Sequence, residues 1–340
     1  MAPSGEAGQF AGSKGPLGGD ALAAALAPAL IAECGGPERL SGLSWFRSTY
    51  QRGGGLTGSA IYRDSTGCAH PVVVKLPVGG PELQWTVRLS EAQAGEASPC
   101  TPRVLAHGRS VGGFDFAWLV MEKLAGAGGQ PVGKHVTAQD VRDMLTATAR
   151  LERLARDLQP LQPDTDAKQI DFERVMEKSR EVIRRGTVIQ GQEAQHWTNV
   201  LKGVHRVLPT LLSRWRARPC NAWCHGDLHT GNAMRRADGS MVLLDLALMH
   251  PGHWVEDALY LERTSWGRPD GLAGVNPVKE LALHRRELGM LDSEDYGRLA
   301  CIRRVLTASC APALIEREGS RAYLHAALEI IERNLAMASH

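Results

Sequence analysis

WCHGDLHTGNAMRRADGSMVLLDLA, residues 223–247, sets histidines, acids, a cysteine and an asparagine directly before an apolar run. Two chemistries can use such a stretch. Cys220, Cys224, His225 and His229 offer four zinc-compatible ligands within ten residues. Asp227, Asn232 and Asp245 instead offer oxygen donors of the hard kind that Mg²⁺ prefers. A structural zinc site commonly separates its ligand pairs by about a dozen residues, so that both wrap one ion. Here Cys224 and His225 are adjacent, and neighbouring side chains rarely converge on one tetrahedral centre. The bland alternative for this set is buried thiols beside a structural histidine.

The oxygen set explains more of the stretch. Phosphoryl transfer from ATP asks a protein for a carboxylate that orients the acceptor hydroxyl, for oxygen ligands to Mg²⁺, and for cations on the other phosphates. Asp227 stands five residues before Asn232, and Asp245 follows thirteen later, inside MVLLDLA (241–247), which reads as a buried strand. That is the spacing logic of a catalytic-loop Asp-x4-Asn followed by a metal-binding Asp. The segment between the two ligands can fold back and bring both beside the base.

Away from this centre the chain changes character twice. Residues 1–20 are rich in Gly, Ala, Ser and Pro without periodicity, the composition of a disordered tail. A helix is expected over 21–34. SWFRSTYQ (44–51), SAIYRD (59–64) and HPVVVKLP (70–77) then read as strands separated by glycine-rich and DSTG turns. PELQWTVRLSEAQAG (81–95) reads as a helix opened by proline, and two more strands follow at 101–110 and 116–124. Residues 42–124 therefore predict a small sheet with one intercalated helix. After AGAGGQPVG (125–133) helical spacing dominates, with Thr137 placed to cap the first helix. Residues 277–339 return to helices.

Composition narrows the classes further. The 340 residues are 43% hydrophobic and carry a formal net charge of only +2, without a long basic run, which disfavours nucleic acid as a partner. The seven cysteines are dispersed and odd in number, a pattern of reduced cytoplasmic thiols rather than a disulfide framework. The apolar run at 21–34 is too short for a membrane span and contains Pro28.

HGDLHTGN with LLDLA closely resembles the aminoglycoside phosphotransferase and choline-kinase-like family, whose fold is related to that of protein kinases and which has HGD where those have HRD. The resemblance spans residues from about 40 to 335. It implies an α+β, bilobal protein-kinase-like fold with a small β-rich N-lobe and a larger, mainly helical C-lobe. The tail would be 1–20, the nucleotide-binding N-lobe with its leading helix 21–124, the hinge region 125–133, and the catalytic and acceptor-binding C-lobe 134–340. Asp227 would be the catalytic base, with Asn232 and Asp245 holding Mg²⁺. Lys75, ending the strand VVVKLP, would contact ATP phosphates and pair with Glu82, for which Glu91 and Glu96 compete. The loop RGGGLTGS (52–59) would cover the phosphates through the N–H groups of Gly55, Thr57, Gly58 and Ser59, although it lacks a G-x-G-x-x-G. Main chain at Glu122 and Leu124 would meet adenine. His225 would fix the loop and Asp257 would anchor it, while His229 would lie near the phosphates or be exposed. Glu256, His253 and Trp254 fit either an acceptor cleft or an ordinary helix start.

Three departures from the family qualify the substrate. Asp245 is followed by Leu246 rather than an aromatic residue, the helix ending LERLARD lacks a histidine often found there, and the C-terminal third shows no acidic cluster for a polycation. The expectation is thus an ATP- and Mg²⁺-dependent phosphotransferase acting on a hydroxyl of a small molecule (a sugar, amino sugar, amino alcohol or related metabolite). It would be cytoplasmic, with no membrane or nucleic-acid partner. A nucleotide-binding pseudokinase scaffold and an aminoglycoside-resistance kinase are the alternatives.

Overall fold

Alternation of buried and more exposed positions organises the strands of the first part of the chain. A computed structural model describes residues 18–46, 55–124, 130–133, 135–162, 164–268, 270–290, 295–318 and 320–339. The expected tail lies outside them up to residue 17, as do the end of SWFRSTYQ, the start of RGGGLTGS, and 125–129 of the hinge region. A leading helix α1 (Gly18–Glu33) precedes strands β1 (Leu40–Phe46), β2 (Leu56–Arg63) and β3 (Ala69–Leu76), with β4 (Val104–Gly108) and β5 (Trp118–Glu122) completing a sheet of order β1-β2-β3-β5-β4. On β3, Val72, Val74 and Leu76 are fully buried and join Leu26 and Leu30 of α1, Leu40, Trp118 and Val120 in one core. The two-residue strand period turns Lys75 to the opposite face. There it stands across from Thr57 on β2 and Leu119 on β5.

The second unit is helical and gathers Gly79–Val104 with the chain from Lys123 onward. Helix α2 (Gly80–Ala92) belongs to it, although the sequence grouped this helix with the sheet inside 21–124. The reason is its apolar face: Trp85 packs on Trp223 with ring centroids 4.7 Å apart, and Trp85, Leu89 and Cys100 join the helical core. Arg88 adds bonds to the Gln159 side chain at 2.8 Å and the Leu158 carbonyl at 2.7 Å.

After β6 (Gln130–Pro131), helix α3 (Ala138–Leu158) starts on a capping box: Thr137 Oγ1 accepts the Asp140 N–H, and Asp140 Oδ2 accepts the Thr137 N–H. Helix α4 (Phe172–Arg185) is capped by Asp171 and stops at Gly186, whose φ of +63° suits glycine. Helix α5 (Gly191–Arg216) buries Trp197 and Trp215. Three short strands follow, β7 (Ala222–Cys224), β8 (Ala233–Arg235) and β9 (Met241–Leu243), then β10 (His250–Gly252). Helices α6 (Val255–Thr264), α7 (Pro277–Glu287), α8 (Tyr296–Ser309), α9 (Ala311–Glu318) and α10 (Arg321–Ser339) close the chain. Among the described residues no helix is long and apolar enough to cross a membrane.

Candidate active site

The candidate stretch hangs from a short, wholly buried strand. Strand β7 pairs antiparallel with β10, Cys224 opposite His250 and Ala222 opposite Gly252. The chain then turns through Gly226 at φ +82°, where any Cβ would collide with the Leu248 carbonyl oxygen. Glycine is therefore required between His225 and Asp227.

Asp257, in the first turn of α6, clamps this turn. Its two carboxylate oxygens accept the His225 N–H at 2.6 Å and the Gly226 N–H at 2.9 Å, and the residue is fully buried. Burial pushes its carboxyl above the usual range, against the pull of the two N–H groups. The imidazole of His225 is also buried, with Nε2 2.9 Å from the Leu244 carbonyl oxygen and Nδ1 3.3 Å from the Asp227 nitrogen. A carbonyl can only accept, so Nε2 carries the proton and Nδ1 accepts the Asp227 N–H.

The Asp227 carboxylate is held by its neighbours. Asn232 Nδ2 donates to Asp227 Oδ2 and to its backbone oxygen, both at 3.0 Å, and His229 Nε2 lies 3.6 Å from Oδ2. The Tyr260 hydroxyl, one helical turn after Asp257, hydrogen-bonds the same carboxylate. Burial by itself would raise the Asp227 carboxyl, but His229, Tyr260 and Asn232 outweigh it and hold it at about 2. Burial and then Asp227 push the Tyr260 hydroxyl up to about 12. Asp227 is thus an ionised acceptor at neutral pH. Sequence reasoning passed over Tyr260; the signal available was its i+3 spacing from Asp257 on one helix face.

Asn232 and Asp245 come together through a hairpin. Strands β8 and β9 pair with Ala233 opposite Leu243 and Arg235 opposite Met241, and the Leu244 N–H donates to the Asn232 carbonyl at 2.8 Å. The fold-back expected from the spacing is therefore present. Asp245 follows at φ +60°, one of two non-glycine residues with positive φ among those described, and it is exposed. Such a conformation costs about 1–3 kcal/mol and clusters at functional sites. Arg235 ties the hairpin to α3 through Asp140 at 2.8 Å and Asp143 at 2.7 Å.

The remaining candidates divide between the two units. Gly55, Thr57, Gly58, Ser59, Lys75 and Glu122 belong to the first; Glu82 and Leu124 belong to the second, where both are buried. Gly58 has a packing reason to be glycine, since a Cβ would meet the Trp45 ring at 2.9 Å. The zinc set does not converge: His225 bonds the Leu244 carbonyl, and His229 Nδ1 accepts the Gly231 N–H at 3.0 Å. Glu256 is buried against Arg218 at 2.9 Å and accepts the His253 N–H at the start of α6, and it also lines a cavity. Gly226, Asp257 and Tyr260 also line this cavity of about 300 Å³, whose other walls include Phe172, Arg303 and Leu314.

A model of the phosphotransferase enzyme family matches residues 49–299. No curated protein matches the chain. Among solved structures, an aminoglycoside phosphotransferase from Alicyclobacillus acidocaldarius subsp. acidocaldarius DSM 446 is similar at 16% identity and a TM-score of 0.52, over 87% of this chain and 89% of that one. A choline kinase from Cryptosporidium parvum Iowa II aligns over 88% of this chain and 89% of its own, at 9% identity and a TM-score of 0.47. The first likeness shows the fold, an α+β arrangement of the protein-kinase kind.

Proposed function

The chain belongs to the phosphotransferase enzyme family, and on that premise we propose that it transfers the γ-phosphate of ATP, with Mg²⁺, to a hydroxyl of a small molecule. The observation that carries this reading is the carboxylate of Asp227 bonded to Asn232, with Asp245 brought to the same end of the β8–β9 hairpin.

Asp227, held ionised by Asn232, Tyr260 and His229, accepts a hydrogen bond from the acceptor hydroxyl and aims its oxygen. As that oxygen bonds the γ-phosphorus, the bond from phosphorus to the β,γ-bridging oxygen breaks, giving ADP and a phosphomonoester. A carboxyl near 2 is a weak base, so the hydroxyl proton passes to Asp227 late, once attack has acidified it. The residues suit Mg²⁺: Asn232 commits its amide nitrogen to Asp227, which leaves Oδ1 for a cation, and Asp245 adds an exposed carboxylate. When bound, Mg²⁺ supplies positive charge to the phosphate oxygens. Lys75, for which Glu82 is the proposed partner, and the N–H groups of Gly55, Thr57, Gly58 and Ser59 are assigned to the ATP phosphates; main chain at Glu122 and Leu124 is assigned to adenine. All seven cysteines are free, which supports a reducing, cytoplasmic setting.

The test is ATP turnover by the purified chain with Mg²⁺ against a panel of hydroxylated metabolites and aminoglycosides, with Asp227→Asn alongside. An acceptor-stimulated rate should fall by about 10²–10⁴-fold in the variant. A stimulated rate that survives the substitution would overturn the mechanism.

A further inference from the structure

The cavity beside the catalytic loop is walled by residues that belong to no motif, and its charges are unevenly satisfied. Its two acids are already committed. Asp257 accepts two main-chain N–H groups, and Glu256 Oε1 accepts Arg218 and the His253 N–H, both at 2.9 Å, while Oε2 lies 3.8 Å from His250 Nε2 and the carboxylate feels the charge of Arg303. Its cations are placed differently. The Arg303 guanidinium stacks 4.9 Å from the Phe172 ring centroid and 5.1 Å from that of Trp215, which fixes its plane. Its Nη1 is buried and has no hydrogen-bond partner among the described residues. Lys168 is exposed at the same cavity, and Arg263 stacks on Tyr260 with its guanidinium 5.0 Å from the ring centroid.

A buried cationic donor without an acceptor is unfavourable, and burial accordingly pushes the Arg303 guanidinium below its ordinary pKa despite the field of Glu256. An oxyanion supplies the missing acceptor and adds to the negative charge of Glu256, and arginine binds carboxylate and phosphate oxygens in a fork geometry. The rest of the lining includes apolar Ile170, Phe172 and Leu314, a surface for hydrocarbon rather than for a polyhydroxylated polycation. At its other border stand Gly226 and Tyr260, the residue before Asp227 and the residue whose hydroxyl bonds it.

We propose that the acceptor bears an oxyanion, a carboxylate or a phosphate, bound by Arg303, with an apolar segment lying on Phe172 and Leu314 and a hydroxyl reaching Asp227. The inference rests on the phosphotransfer reading above and names its substrate class. Ammonium-bearing acceptors are disfavoured by the same charges.

Three ligands of one chain length separate the possibilities: hydroxyhexanoate, hydroxyhexyl phosphate and aminohexanol. Calorimetric titration of the full chain should show one or both anions binding, and aminohexanol at least about tenfold weaker. The stronger of the two anions identifies the oxyanion. Arg303→Met should weaken anion binding by at least about tenfold, with Arg303→Lys recovering part of it. Because Arg303 is packed between two rings, Lys168→Met at an exposed position serves as a second variant, with a loss of about two- to fivefold expected. Equal or tighter binding of aminohexanol, failure of both anions to bind, or undiminished anion binding by folded Arg303→Met would overturn the proposal. ATP turnover in the same preparations keeps the two readings apart. Anion binding without Asp227-dependent turnover counts against phosphotransfer alone; Asp227-dependent turnover of amino alcohols without anion binding counts against the oxyanion alone.

Discussion

Replacing Asp257 with alanine removes both acceptors that hold the turn before Asp227. The His225 and Gly226 N–H groups, bonded at 2.6 Å and 2.9 Å, would be left buried without partners. Each such group costs about 1–3 kcal/mol, so about 2–6 kcal/mol is at stake. Part of that is offset, because the variant no longer holds a fully buried carboxylate that burial disfavours. A net destabilisation of about 2–4 kcal/mol is expected, seen as a fall in Tm of roughly 3–6 °C and a matching shift in urea midpoint. Asp257→Asn should recover no more than one of the two bonds, because its amide NH₂ would face the second N–H. Turnover should fall by about 100-fold in both, since a displaced loop misplaces Asp227. Asp227→Asn provides the contrast: turnover lost while the turn keeps both of its Asp257 bonds. If Asp257→Ala stays within about 0.5 kcal/mol of the parent and turns over normally, the clamp has been misread.

Tyr260→Phe deletes one hydrogen bond to the Asp227 carboxylate, so kcat should drop by about tenfold while the KM for ATP holds; an unchanged kcat would remove Tyr260 from the site. Asp245→Asn should raise the Mg²⁺ concentration for half-maximal turnover by at least about tenfold, checked by metal titration at fixed ATP. Glu256 titrates at about 2 in the fold against an ordinary 4.5, so the unfolded chain binds more protons between those values and stability rises with pH there. The stability advantage over Glu256→Gln should therefore be complete above about pH 5 and shrink as pH falls toward about 2. Urea midpoints of the two proteins that differ equally at about pH 3 and about pH 6 would contradict this linkage.

The hairpin of the candidate site was legible because its fold-back is local. Asp227, Asn232 and Asp245 lie within nineteen residues, and strand register alone carries the last two to one end. Capping at Thr137 was equally local, with the capping residue and its partner three positions apart. Helix α2 was less so, because whether Trp85 meets the sheet or Trp223 depends on residues 138 positions away. The cavity cations were the hardest to foresee. Arg303 stood in the sequence as one of several mixed charges, and only the packing of α8 against Phe172 and Trp215 distinguishes it.

The bracket formed by His225 has a consequence for which sequences can occupy it. The side chain must give a proton to the Leu244 carbonyl from one end and receive the Asp227 N–H at the other, without net charge, in a space closed to solvent. Hydroxyls place donor and acceptor on a single atom, ammonium and guanidinium groups cannot accept, and an aliphatic chain does neither. Only the carboxamides share histidine's uncharged pairing of functions, and they lack its rigid ring. Position 225 thus admits almost one letter of the twenty, and that narrowness is a property of two hydrogen bonds rather than of the reaction they frame.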